Sequence, residues 1–553
     1  DNNEYNCGSN IHLSTLTPQM LDNLYVLCKV WGFLKYYHPE VAKGKYNWDY
    51  ELFKILPSIA NAKNKEDRDK RLNEWVNKYG KVKDIEDYNY KMKGYPNYSK
   101  IINLDWIVNK DLFDERLISK LTAIKNAKRP NSFNYYTVPY QLRNWMPFDR
   151  EKSYDNIKWD DQGFRILTLF RLWNIIEYCF PYYDLLEADW NSLLKEYIPG
   201  IVLPADKIKY ELAIKELAGH INDSHGYMDI PDHSLEKTVL SKFYNKYRVP
   251  VELIETKNGD IVVKSSELSQ FERGDVIIDL DGESVKDEIE QLVPYIMASN
   301  RSAMIRDILF FLLSSDKPSL CVTVLRNGQR KIINVQNFEK NQRKQGLKTC
   351  NDYKLEFKNI AYISNDNTAK MNEEIINSSI NCKGIIVDLR PFDIDIGNQM
   401  VLISKILESP QSPLWISINN RNNPGNYSLL PISEFGTHNP KYYKGKIVIL
   451  VDEHTQSHME SFAMIHRTAP NSIIIGSQTA GTNGAIGIVH LPHGIKFNYT
   501  CTGAYYPFWR QLQIKGVDID VDVRPTTANI RDGRDIYIEK AIEYIVNRKI
   551  YEK

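Results

Sequence analysis

A serine placed where a strand hands over to a helix is the most chemically suggestive position in this chain of 553 residues. It is Ser457, within KIVILVDEHTQSHMESFAMIHRTAPNSIIIGSQTAGTNG, residues 446–484. A hydroxyl there has the unpaired N–H groups and the positive dipole end of a helix beneath it, and both favour a developing negative charge. Nucleophiles of acyl transfer are often held at such junctions. The same residues fit a plainer role, because serine is a preferred N-cap and Glu460, three residues on, completes a capping box. A serine nucleophile also needs a base, and histidine suits because its pKa lies near neutrality. Metal-assisted hydrolysis is the other chemistry to weigh, since His454, His458 and Glu460 lie close together. Two histidines at i and i+4 share a face only if residues 454–460 are all helical, whereas the helix starts near Ser457 and no H-E-x-x-H motif is present. Neither a metal nor a cofactor is expected. The glycines of GSQTAGTNG, residues 476–484, do not form a phosphate loop.

The elements that must hold these residues follow from hydropathy. Ile447 to Val451 reads as a buried strand, residues 458–468 place Met459, Phe462, Ala463 and Ile465 near helical spacing, and Ile473 to Ile475 reads as the next strand. Beyond Lys354 the runs IAYIS, GIIVDL, KIVILV, SIIIG and VDIDVDV alternate with helical patterns, which predicts an α/β core. From about Val249 to Val335 short strands dominate. FERGDVIIDLDGESVKDEIEQL predicts a turn, a strand, a tight Asp281-Gly282 turn and a helix from about Val285, and LCVTVLRNGQRKIINV predicts a hairpin closing at Asn327-Gly328. The first half of the chain carries a duplication: Trp31, Tyr36, Pro39, Trp48 and Pro57 recur 142 positions later as Trp173, Tyr178, Pro181, Trp190 and Pro199. Each copy predicts a helical unit with buried aromatics. His225 follows the second copy, and the equivalent position of the first is Lys83, so the repeated fold does not itself require a histidine there.

Composition narrows the partners. A net charge of +1 gives no general attraction to nucleic acid or to anionic membrane. The 35 tyrosines suit contact with peptide, protein or sugar. No run of 18 apolar residues occurs, the longest candidate, Ile166 to Phe180, being broken by Arg171 and Glu177. Cys7, Cys28, Cys179, Cys321, Cys350, Cys382 and Cys501 show no CxxC spacing, so neither a disulfide framework nor a zinc ribbon is indicated. The first residue is Asp1 rather than methionine, which fits a removed leader.

The segment Gly274-Asp275-Val276-Ile277 with the Asp281-Gly282 turn resembles a PDZ domain, although the glycine-rich carboxylate-binding loop of that family is not found. Residues 205–553 resemble the C-terminal processing (tail-specific) serine peptidases, and in particular the branch containing the tricorn protease core. Four motifs in order carry the resemblance: ELAGHINDSHGYM, GIIVDLRPFDIDIG, DEHTQSHMESF and AYYPFWRQLQIKGVDIDVDVRPT. The lysine-using branch of the family has its lysine 25 residues after the serine, where this chain has Thr482. The resemblance therefore implies Ser457 as nucleophile, His225 as base with Ser224 beside it, and Gln513, at the position of a glutamate, as the orienting residue. It implies oxyanion and substrate contacts from the backbone of His458, from Asp393 or Ile394, and from Gly481. Pro391 has no N–H to donate, and Gln513 carries no charge to stabilise an imidazolium.

The fold class expected is thus multidomain α/β (α+β). A helical region at 1–115, a second helical copy leading to the base at 116–240, a PDZ-like domain at 241–345 and a ClpP/crotonase-like peptidase core at 346–553 are its parts. The function expected is a serine endopeptidase acting on peptide or protein substrates, which the resemblance places in the bacterial envelope. The alternative is a degenerate peptidase fold that binds peptides as a scaffold. Oligomeric state is not encoded in these patterns.

Overall fold

The computed structural model of the chain describes residues 4–82, 99–129, 134–137, 150–231, 233–336, 359–364, 373–391, 396–420 and 422–547. The chain forms two compact units, each assembled from separated segments. The first comprises Asp1–Asp232, Ile416–Leu430 and Gly484–Gly503, and the second His233–Trp415, Pro431–Asn483 and Ala504–Lys553.

The duplication is written into the helices of the first unit. Helices Trp48–Ala60 and Lys65–Asn77 recur, start and stop alike, at the same offset as Trp190–Val202 and Lys207–Gly219, so each copy is a three-helix unit opened by Pro18–Tyr37 or Gln162–Cys179. The caps recur too. Asn47 and Asn64 in the first copy, and Asp189 and Asp206 in the second, each accept a backbone N–H of their helix's first turn. The paired tryptophans explain why those residues punctuate both copies. A buried indole N–H must find an acceptor, and Trp31 and Trp48 each donate to the other's carbonyl, at 3.1 and 3.0 Å, as do Trp173 and Trp190 at 2.8 and 3.1 Å.

The two copies meet at equivalent positions. The rings of Tyr36 and Tyr178 lie 5.0 Å apart, and a side chain added at Gly32 would overlap the amide of its equivalent, Asn174. Asn174 donates instead to Cys28 O at 3.1 Å. Self-contact of equivalent residues is what an approximate two-fold relation requires. Arg171, which interrupts the apolar run of its helix, is fully buried and paired with Asp49 at 2.6 Å and Glu151 at 3.1 Å. Among the described residues no helix is long and apolar enough to cross a membrane.

In the second unit the strands Ile360–Ser364, Gly384–Asp388, Lys446–Val451, Ser472–Gly476 and Val521–Asp522 form one sheet in that order, every neighbouring pair parallel. Val387, Ile449 and Val451 face one apolar cluster, and Ile386, Val448 and Leu450 face the other. Burial on both faces is why these strands read as unbroken apolar runs rather than alternating ones, and the α/β core expected from them is what forms. Antiparallel strands Val251–Glu255, Ile261–Ser266, Val276–Leu280, Ser319–Arg326 and Gln329–Gln336 build a separate sheet with the last and first at its edges. Its tight turns are at Asp281-Gly282 (φ 49° and 88°) and Asn327-Gly328 (φ 50° and 80°), the left-handed pairs those sequences favour. Helices Val285–Leu292 and Arg301–Leu312 lie between the third and fourth of these strands in sequence.

The contact between the copies gives a stability test. Gly32→Ala should cost about 1–3 kcal/mol in chemical denaturation, the usual penalty of overpacking. Because the clash is with one side chain, the double variant Gly32→Ala/Asn174→Gly should be more stable than additivity of the two single changes allows, which a double-mutant cycle measures.

Candidate active site

Strand Lys446–Val451 ends in the second unit's core, and after a turn at Asp452–Gln456 the chain enters helix His458–His466 at Ser457. Ser457 holds φ 57° and ψ −118°. Those are the angles of the first central position of a type II′ turn, which glycine normally takes. An ordinary N-cap serine sits in the extended region, so capping alone does not call for this conformation. A strained non-glycine residue costs about 1–3 kcal/mol and persists where its surroundings over-determine it.

Those surroundings are mainly one carboxylate. Glu460 is fully buried, and its Oε1 accepts from Thr479 Oγ1 at 2.6 Å and from Gly481 N at 2.9 Å. Its Oε2 accepts from Thr482 N at 3.1 Å and from Ser457 N at 3.3 Å. Thr482 O in turn accepts from Ser457 N at 3.0 Å. Burial pushes the Glu460 carboxyl up to about 7, against the pull of its four donors. Gly481 has φ 64°, and a Cβ there would lie 2.6 Å from Ile514 O. Only glycine therefore fits the close crossing in which Ile514 N donates to Gly481 O at 2.8 Å.

The other residues expected at the site are distributed as follows. His458 is the first helical residue, and burial lowers its imidazole pKa. Gln513 is buried, and its Nε2 donates to Ser299 Oγ at 3.1 Å. Asp393 and Ile394 lie outside the described residues. Pro391 follows Arg390, whose guanidinium is clamped between Asp388, at 2.6 Å, and Asp535, at 2.9 Å. The D-L-R segment thus has a structural task, reinforced by Thr455 Oγ1, which donates to Leu389 O at 3.0 Å and ties the turn before Ser457 to the end of that strand.

His454 lies in the turn, not on the helix, so it shares no helical face with His458. Ligand atoms of Asp452, Glu453 and His454 do lie within 4.8 Å of one another. Lys264 and Arg390, however, interact with Asp452 and supply positive charge there without an ion.

In the first unit His225 and Ser224 occupy the turn between helix Lys207–Gly219 and strand Tyr227–Asp229. His225 N donates to Asp223 Oδ1 at 3.1 Å, and its Nδ1 lies 3.0 Å from Thr500 Oγ1. Thr500 N and Oγ1 both reach Asp223, at 2.6 and 2.9 Å. Neither Asp223 nor Thr500 is among the residues expected at the site. The aspartate two residues before the histidine was visible in the motif, but nothing local marks Thr500, 275 residues from His225.

Ionisation of Glu460 has a consequence for stability. Its folded pKa near 7 stands above the ordinary carboxyl value of 4.5, so between those values the folded state binds the proton more tightly than the unfolded state. Stability contributed by the protonated form is present below pH 4.5 and lost as pH rises through about 7. Glu460→Gln should flatten that decline. It should also destabilise the protein by about 1–3 kcal/mol, because an amide NH₂ would face the N–H groups of Ser457 and Thr482. Denaturation midpoints of both proteins from pH 4 to 8 check this.

Comparison with known proteins bears on the same segment. Residues 355–523 match peptidase family S41, a span that includes Ser457, Glu460, Gly481 and Gln513. No curated protein matches the chain. Among solved structures, a mutant of CPAF is 13% identical over 71% of this chain and 99% of that one, with a TM-score of 0.54. Mature CPAF complexed with lactacystin is 12% identical over 69% and 98%, with a TM-score of 0.51. The photosystem II D1 C-terminal processing protease is 14% identical over 65% and 92%, with a TM-score of 0.36, a superposition too loose to carry an argument. At such identities the likeness to CPAF is one of fold. The family match and that fold agree with the strand-to-helix serine, and residues 355–523 of the chain carry a peptidase family S41 domain.

Proposed function

We propose that Ser457 is the nucleophile and His225 the general base of an endopeptidase that cleaves peptide bonds through an acyl-enzyme. The observation that carries this reading is the left-handed backbone of Ser457 at the head of helix His458–His466, within the S41 segment. Strain of that kind lifts a side chain out of the helix's own hydrogen bonding and towards a substrate. Ser457 and His225 belong to different compact units, and each role rests on that residue's own surroundings.

In the first step the Oγ–H bond of Ser457 breaks, its proton passes to His225 Nε2, and Oγ bonds to the substrate carbonyl carbon. The carbonyl electron pair moves onto oxygen, where the N–H of His458 and a backbone donor at Asp393 or Ile394 hold it. His225 then gives the proton to the leaving amine as the C–N bond breaks. Water, deprotonated by the same histidine, releases the acyl group and restores Ser457. Gly481 forms the wall opposite the nucleophile. Residues 249–336 serve as a PDZ-like module that takes an extended peptide along a sheet edge, Val251–Glu255 or Gln329–Gln336. Work in the bacterial envelope, on peptide or protein substrates, is the setting that the family resemblance supports.

A fluorophosphonate probe tests the assignment. Wild type should label and Ser457→Ala should not, while His225→Ala should label about 10²- to 10⁴-fold more slowly, the usual share of a general base. Full reactivity in His225→Ala defeats the base assignment. A wild type that never labels favours the peptide-binding scaffold.

A further inference from the structure

We propose that Asp223 and Thr500 are the positioning residues of His225, Thr500 accepting the Nδ1 proton and donating its own hydroxyl proton to the Asp223 carboxylate, which leaves Nε2 as the basic nitrogen. This rests on the reading of His225 as base.

Counting donors fixes the direction of the relay. A hydroxyl has one proton to give, and a carboxylate can only accept. Thr500 Oγ1 lies 2.9 Å from Asp223 Oδ1 and 3.0 Å from His225 Nδ1. Its proton therefore goes to Asp223, and Nδ1 must carry the proton shared with Oγ1. The carboxylate is fixed by two further donors, Thr500 N at 2.6 Å and His225 N at 3.1 Å. Asp223 and Thr500 are both fully buried, so water does not compete for these bonds.

The backbone aims the hydroxyl. Strand Tyr227–Asp229 pairs antiparallel with Lys496–Asn498, and continuing that register by two residues sets Thr500 opposite His225. On its other edge the same strand pairs with Gly484–His490, and the register slips so that Ala485 and Ile486 oppose Thr502 and Thr500, leaving Cys501 as the extra residue. Such a bulge re-aims the neighbouring side chain. Besides His225 on the same turn as Asp223, strand Lys496–Tyr506 brings the Cys501 thiol, which burial pushes up to about 12 and so keeps neutral.

The test compares Thr500→Val, which keeps the shape and loses the hydroxyl, with Thr500→Ser, which keeps the hydroxyl. Both are checked for folding by thermal melting. Thr500→Val should lower kcat and the rate of fluorophosphonate labelling by ~10-fold or more, as expected when a base loses its orienting partner, with KM little changed. The acid limb of its kcat/KM profile should move to lower pH, because the imidazolium loses the carboxylate's support, and Thr500→Ser should restore both readouts. Asp223→Asn is the second variant and should reproduce the loss and the displaced limb. Rates within two-fold of wild type and an unmoved acid limb in both Thr500→Val and Asp223→Asn, with His225→Ala inactive, overturn the relay alone. Retained reactivity in His225→Ala overturns the base assignment, and the relay with it.

Discussion

The Glu460 carboxylate, buried beneath the turn at Ser457 and surrounded by donors from Ser457, Thr479, Gly481 and Thr482, sets the shape of that turn. Hydrogen bonds to a charged group contribute roughly 1.5–3 kcal/mol each, and the backbone strain at Ser457 costs about 1–3 kcal/mol. One or two of the four bonds are enough to offset that strain. The remainder work against burial of the charge, and the balance is close, because the carboxyl settles near neutrality. Cap and nucleophile are compatible readings of Ser457. The capping contact between Glu460 and Ser457 N is the means by which the strained turn is held.

Support for that carboxylate extends into the β-rich part of the second unit. Asn300 caps helix Arg301–Leu312 by accepting from Ala303 N at 3.0 Å, and the same side chain donates to Thr479 O and Ile514 O, both at 2.8 Å. Thr479 is a donor to Glu460, and Ile514 crosses Gly481. Arg306, one turn along the helix, donates to Glu453 O at 2.7 Å, in the turn that leads to Ser457. Four residues of one short helical segment, Ser299, Asn300, Ser302 and Arg306, thus reach loops that pack about the Ser457 turn and Glu460.

Legibility in the sequence followed the range of the interactions. The parallel core could be read because strands buried on both faces must be apolar throughout, as Ile447 to Val451 is. The duplication could be read because buried tryptophans need acceptors that only a fixed partner supplies. Ser457 and Glu460 could be read because a cap and its reciprocal residue are three positions apart. What could not be read is whatever depends on distant register: Thr500 meets His225 through the pairing of a three-residue strand and through a one-residue bulge. The segments Ile416–Leu430 and Gly484–Gly503 join the first unit although they lie within the peptidase half of the sequence, and no composition change marks their ends. The third helix of the first copy, Lys65–Asn77, falls in polar sequence and shows mainly through its match to the more apolar Lys207–Gly219 and through the equivalent Asn64 and Asp206 caps.

The proposed assignment of Ser457 and His225 accords with what Thr482 does. It occupies the position at which the lysine-using branch of the family carries its base, yet here its main chain does the structural work: its carbonyl accepts from Ser457 N and its N–H donates to Glu460. A threonine hydroxyl cannot accept a proton at neutral pH, so the residue holds the nucleophile's backbone without activating its oxygen. Activation then needs a group with a pKa near neutrality and a fixed tautomer. The turn after the second helical copy supplies one in His225, whose Nδ1 is engaged on Thr500, whereas the first copy has a lysine at the equivalent position. On that assignment the backbone of Ser457 is supported within its own turn, and the histidine at 225 is a residue that the first helical copy does not carry.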